Sequence, residues 1–315
     1  MEAALAKVLQ AMLIAGMLLL AGASAQSAST RPVVVSSKLS SESAMLGQMI
    51  RLLLDDHGIP TVDRMTLGAT PVVRKALLAG EIDIYVEYTG NAGFFFNRPD
   101  DPAWKDLQRG YELGARLDLE HNRIVWLEPA RASNSWALAV RRDVANQHRL
   151  VTMSDFARWV REGGAVKLAC SAEFANAGTL HSLEQTYDFR LEPRQKIVLA
   201  GGETAATIGA AAARTNDINT AMVYGTDGGI AAASLVLLED DKRDQPVYAP
   251  VPTIRESVLR ARPEIAEIVR PLMAGLTRES LQALNARVQI DGESAAEVAA
   301  DYLRAQGLLR QAARQ

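Results

Sequence analysis

The stretch from Thr70 to Gly90, TPVVRKALLAGEIDIYVEYTG, constrains this chain more than any other. Thr70 is a good helix N-cap, and Pro71 suits the first helical position, where a missing N–H costs nothing. Gly80 follows Ala79 as the stop, since glycine reaches the left-handed conformation that ends many helices. Ile82, Ile84 and Val86 then alternate with Asp83, Tyr85 and Glu87, the period of a strand. Glu87-Tyr88-Thr89-Gly90 closes that strand at a sheet edge, where ligand sites of open α/β folds lie.

The same alternation runs through most of the sequence and predicts parallel sheets flanked by helices. Strands are expected at 32–36, 61–67, 124–127, 135–140, 166–169, 196–200, 220–223 and 235–238. An extended, proline-marked segment is expected at 247–253. Helices are expected from Ser40 or Ser41 to about Asp56, with Gly58 as the stop, and over 102–120, 153–161, 178–187 and 204–214. The remainder is helical, broken by Pro263, and includes 278–288 and 294–305.

The first 25 residues read as an export signal. Lys7 supplies a modest positive start, Leu9 to Leu20 is apolar, and Ala23-Ser24-Ala25 is a cleavage pattern. The apolar run is short for a membrane span. These features predict a periplasmic chain cleaved near Ala25, with about 290 residues left, enough for two domains. Cys170 is the single cysteine. It closes a strand-like run from Val166, which favours a buried inert thiol and excludes an internal disulfide. The formal charge of −3 argues against nucleic acid as a partner.

Six motifs in collinear order carry a resemblance: SSKLSSESAMLGQMI, LGATPVVRKAL with GEIDIYVEYTG, NSWALAVRRDVA, SAEF, AMVYGTDGGI and VYAPVPTIRESVL. Over roughly Pro32 to Leu308 the chain resembles the glycine betaine/choline/carnitine-binding proteins of osmoprotectant ABC importers, most of all their OsmF (YehZ) branch. The resemblance implies a two-lobed, type II periplasmic-binding-protein fold of the α/β class. Lobe one would hold residues 31–134 and 246–315, and lobe two 135–245, with two crossovers near 134–136 and 246–248. It further implies a monomer that binds a small quaternary amine and delivers it to an ABC permease in the inner membrane, without catalysis and without a cofactor.

A quaternary ammonium carries charge but no N–H, so hydrogen bonds cannot grip it. A box of electron-rich ring faces can, at about 0.5–2 kcal/mol per ring. Aromatic residues are only 5% of the chain, so their positions are informative. Tyr88, Trp136, Tyr224 and Tyr248 fall in the family's pocket segments and are the expected cage; packing of strand ends is the alternative reading. Asn134 stands where some relatives carry Asp, offering a dipole in place of a charge. Ser37, Lys38 and the helix starts after Ser41 and Thr70 are candidates to receive a ligand carboxylate. Glu87 and Asp227 either add negative potential or serve as turn caps and solvated edges. Betaine-binding relatives often carry an Arg that clamps the carboxylate where this chain has Ala177. That absence predicts weak glycine betaine binding, or a ligand without a carboxylate.

No GxSxG, HExxH or Walker A pattern is present. His57, His121, His148 and His181 are scattered, with no partner at metal-ligand spacing. Gly201-Gly202-Glu203-Thr204 lacks the dinucleotide pattern and reads as a strand-to-helix turn lining the cleft. Two rival functions stay open on the sequence: a sensory module presenting its occupancy to a receptor, and an exported enzyme on the same scaffold.

Overall fold

A computed structural model describes residues 31–176, 178–199 and 204–310. The expected export segment, Ala177 and the Gly201-Gly202-Glu203 turn lie outside the described residues. Among the described residues no helix is long and apolar enough to cross a membrane.

Two five-stranded sheets organise the chain. The first takes β1 (Val33–Lys38), β2 (Thr61–Gly68), β3 (Ile84–Tyr88), β4 (Ile124–Trp126) and a late strand, Pro250–Arg255. The second takes β5 (Trp136–Arg141), β6 (Leu168–Ser171), β7 (Lys196–Leu199), β8 (Thr220–Tyr224) and β9 (Leu235–Leu237). With the late strand as β10, the orders are β2-β1-β3-β10-β4 and β7-β6-β8-β5-β9. Helices cover both faces of each, the arrangement of type II periplasmic binding proteins. Period-two alternation divides β3 between two cores. Ile84 and Val86 join Met45, Leu46 and Leu53 on one face, while Tyr85 joins Val73, Leu77 and Trp104 on the other. In the second sheet Leu168 and Cys170 pack with Phe156 and Phe174, and Ala169 packs with Ile208 and Val223. Cys170 is fully buried, and burial pushes its thiol pKa up.

Both sheets are mixed, not parallel as the alternation predicts. β10 runs antiparallel to β3 and β4, and β5 antiparallel to β8 and β9. The cause is chain routing. β5 and β10 are the first strands after each crossover, so they enter from the hinge end and not by a helical return across their own sheet. The crossovers run side by side: Asn134 N donates to Tyr248 O at 2.9 Å, Tyr248 N to Ser133 Oγ at 3.0 Å, and Ser135 Oγ to Pro246 O. β3 is central in its sheet, so its carboxyl end opens toward this hinge and not at an outer strand.

Local starts and stops follow the residues, with three corrections. Ser40 caps the helix Ser41–Asp56, accepting from Ser43 N, and Gly80 stops Thr70–Ala79 at φ 75°. Thr70 is not that helix's cap. β2 runs through Gly68, which leaves Ala69 alone to turn the chain, and Ala69 takes the N-cap position without a side-chain bond. The helix expected over 102–120 is two pieces, a 3-10 turn Pro102–Lys105 and a helix Leu107–Asn122. Asp106 caps the second piece by accepting from Arg109 N. A helix Arg142–His148, unforeseen in its charged sequence, follows β5.

Candidate functional site

A cleft of about 960 Å³ opens between the sheets at the hinge end. The first sheet's side contributes Glu42, Tyr88 and Asn285; the second contributes Thr204, Ile208, Tyr224 and Asp227. Asn134 lines the cleft from the crossover.

The first wall is a polar network. Glu87 is fully buried and accepts from Tyr85 Oη, Tyr88 N and Asn91 Nδ2, each at 2.7 Å, and from the Lys38 ammonium. That ammonium also sits 4.9 Å over the Tyr88 ring. A buried carboxylate is tolerable here because four donors surround it, one of them the Lys38 countercharge. Tyr88 Oη donates to Glu42 Oε1 at 2.7 Å. Burial, then the Glu42 charge, pushes the Tyr88 hydroxyl pKa well above its ordinary value. Glu42 also accepts from Asn134 Nδ2 at 3.0 Å and Asn285 Nδ2 at 2.6 Å.

Rings dominate the second wall. Trp136 and Tyr224 face each other across β5 and β8 in register. Their centroids are 6.1 Å apart and their planes 24° from parallel. Phe174 also meets Trp136 edge-on, with centroids 5.8 Å apart. Asp227 holds the turn after β8 by accepting from Tyr224 N at 2.8 Å.

The two walls touch along the helix Arg278–Gln289. Gln282 Nε2 donates to Gly225 O and Asn285 Nδ2 to Thr226 O, both at 2.8 Å, and Gly228 N donates to Gln289 Oε1 at 3.2 Å. At Gly228 a Cβ would lie 2.2 Å from Ala286 N, so only glycine allows this approach.

The expected site residues therefore divide. Tyr88, Asn134, Tyr224 and Asp227 line the cleft. Trp136 stands behind Tyr224 and lines a separate hollow of about 570 Å³. Tyr248 lines neither hollow; its ring packs on Gly90, and burial followed by the neighbouring Tyr224 raises its hydroxyl pKa. Ser37 is fully buried, donating to Lys38 O and accepting from Thr66 N. Lys38 is engaged by Glu87, so neither residue presents a donor to the cleft. Glu87 is no solvated edge, and Thr70 lies outside the cleft lining. Glu42 and Asn285 were missed. Glu42 follows a capping serine, where an acid reads as a helix-dipole partner; its position just beyond the carboxyl end of β1 was the available signal. Asn285, on a distant helix, gave none. Among the described residues no group of His, Cys, Asp or Glu is arranged to hold a metal.

Residues 31–305 match the family described as the substrate binding domain of ABC-type glycine betaine transport systems, OpuAC. The glycine betaine-binding protein YehZ of Escherichia coli (strain K12) is 49% identical over 292 residues, covering 92% of this chain and 96% of that protein. A glycine-betaine-binding protein of Pseudomonas aeruginosa is 30% identical over 285 residues, covering 87% of this chain and 88% of that protein. The solved structure of apo YehZ superposes with a TM-score of 0.83, covering 89% of this chain and 100% of that one.

Proposed function

The chain belongs to the family of substrate-binding domains of ABC-type glycine betaine transport systems, and from that premise we propose that it holds a small quaternary ammonium compound between ring faces in the interlobe cleft. The family binds small solutes and works with an ABC transporter, and its members are solute-binding proteins. The finer reading is a monomeric periplasmic protein that surrenders its ligand to the permease in the inner membrane. Lobe one would hold residues 31–134 and 246–315, and lobe two 135–245. In support, the first sheet draws its strands from 33–126 and 250–255, and the second from 136–237.

One observation carries the ligand reading: Tyr88 and Tyr224 line the same cleft from opposite sheets. A cation between them meets two electron-rich faces at once, and lobe closure excludes the water that would compete for it. Trp136 backs Tyr224, and Tyr248 packs beside the Tyr88 turn at Gly90. Closure would then give the permease a composite surface that exists only in the occupied state.

Calorimetry on refolded, ligand-free protein tests this. Tyr224→Ala and Trp136→Ala are each expected to weaken the preferred amine about tenfold or more, the loss of one desolvated ring contact or of its backing. Unchanged affinity in both variants would refute the cage.

A further inference from the structure

We propose that Glu42, with the amide oxygens of Asn134 and Asn285, is the counter-anion of the cleft and makes it prefer net-cationic amines bearing a hydrogen-bond donor, such as choline, over zwitterionic ones. This deepens the ligand reading above and rests on it.

The Glu42 side chain is almost wholly buried, and its three hydrogen-bond donors, Tyr88 Oη, Asn134 Nδ2 and Asn285 Nδ2, are all neutral. Among the described residues no Lys, Arg or His forms an ion pair with it, in contrast to Glu87, which has Lys38. Neutral donors hold a carboxylate in place without cancelling its charge, so its field reaches the cleft little screened.

A carboxylate only accepts, so both amides must turn their NH₂ groups toward Glu42. Their carbonyl oxygens then point away from it. Asn134 Oδ1 and Asn285 Oδ1 are both buried and have no hydrogen-bond partner. Asn285 is only 1% exposed, and its NH₂ is engaged by Glu42 and by Thr226 O. Orphaned acceptors of this kind are rare in folded proteins and mark a missing donor. Both asparagines line the cleft, Asn134 from the crossover and Asn285 from the helix Arg278–Gln289.

The rest of the wall agrees in sign. The described residues lining the cleft include two carboxylates, Glu42 and Asp227, and no Lys, Arg or His. Lys38, the cation of the first wall, is taken by Glu87 behind the lining, so a zwitterion's carboxylate meets no Lys, Arg or His among the described residues that line the cleft. A cationic amino-alcohol meets Glu42 with its charge and an orphaned carbonyl with its hydroxyl.

The test uses calorimetry with choline, glycine betaine and ethyltrimethylammonium, which is choline without its hydroxyl. Wild-type protein is expected to bind choline about tenfold tighter than ethyltrimethylammonium. Glu42→Gln is expected to lower the choline-to-betaine affinity ratio about tenfold or more, and Glu42→Asp, which keeps the charge, to retain most of it. An unchanged ratio in the Gln variant, or equal loss for all three ligands, would mean a merely structural role and overturn the proposal. Should the Gln variant fail to fold, the two wild-type affinities decide: equal binding with and without the hydroxyl overturns the donor requirement. A wild-type protein that binds no quaternary amine overturns the ligand reading itself, a result distinct from uniform binding of all three.

Discussion

The two walls of the cleft are built on opposite principles. At the end of β3 the first wall is held by charge: Lys38 on Glu87, Tyr85 and Asn91 around the same carboxylate, and Tyr88 tied to Glu42. At the ends of β5 and β8 the second wall is held by shape: Tyr224 on Trp136, and Trp136 on Phe174, over an apolar core. The difference teaches what each wall supplies. Fixed negative charge must be caged by directional bonds, or burial would neutralise it. A ring face needs only dry backing to keep its orientation toward a cation.

The largest expected effect breaks the first wall. Lys38→Met leaves Glu87 buried without its countercharge, which typically costs about 3–5 kcal/mol. Urea denaturation should show that drop; a loss below about 1 kcal/mol would mean that hydrogen bonds alone hold Glu87 and that the contrast between the walls is false. A smaller effect sharpens the contact between them. Gly228→Ala puts a methyl group against the backbone of Ala286, so the helix Arg278–Gln289 and the turn after β8 must separate. Weaker amine binding, about threefold to tenfold, is expected, with a larger radius of gyration in small-angle scattering and little change in the denaturation midpoint. An unchanged radius and affinity would show that the seam takes no part in closure.

The element order was legible because starts and stops are local. Ser40 and Gly80 act where their chemistry places them, and Pro263 separates the helices Glu256–Ala261 and Glu264–Gly275. Strand direction was not legible, since β5 and β10 are turned antiparallel by crossovers that leave no periodic mark. Local signals also misled at Thr70, where the length of β2 sets the cap. Tyr88, Asn134, Tyr224 and Asp227 were found by motif and line one cleft. Lys38 and Glu87 were found as charges, but sequence cannot show that two buried residues 49 positions apart satisfy each other. Glu42 and Asn285, 243 positions apart, meet through tertiary packing alone.

The central claim is that the cleft recognises positive charge on a methylated nitrogen. The most direct measurement compares choline with 3,3-dimethylbutan-1-ol, its isostere with carbon in place of nitrogen, by calorimetry on refolded ligand-free protein. Size, shape and hydroxyl are the same, so only charge differs. Choline binding about a hundredfold or more tighter is the predicted result, and equal affinity for the two would contradict the account.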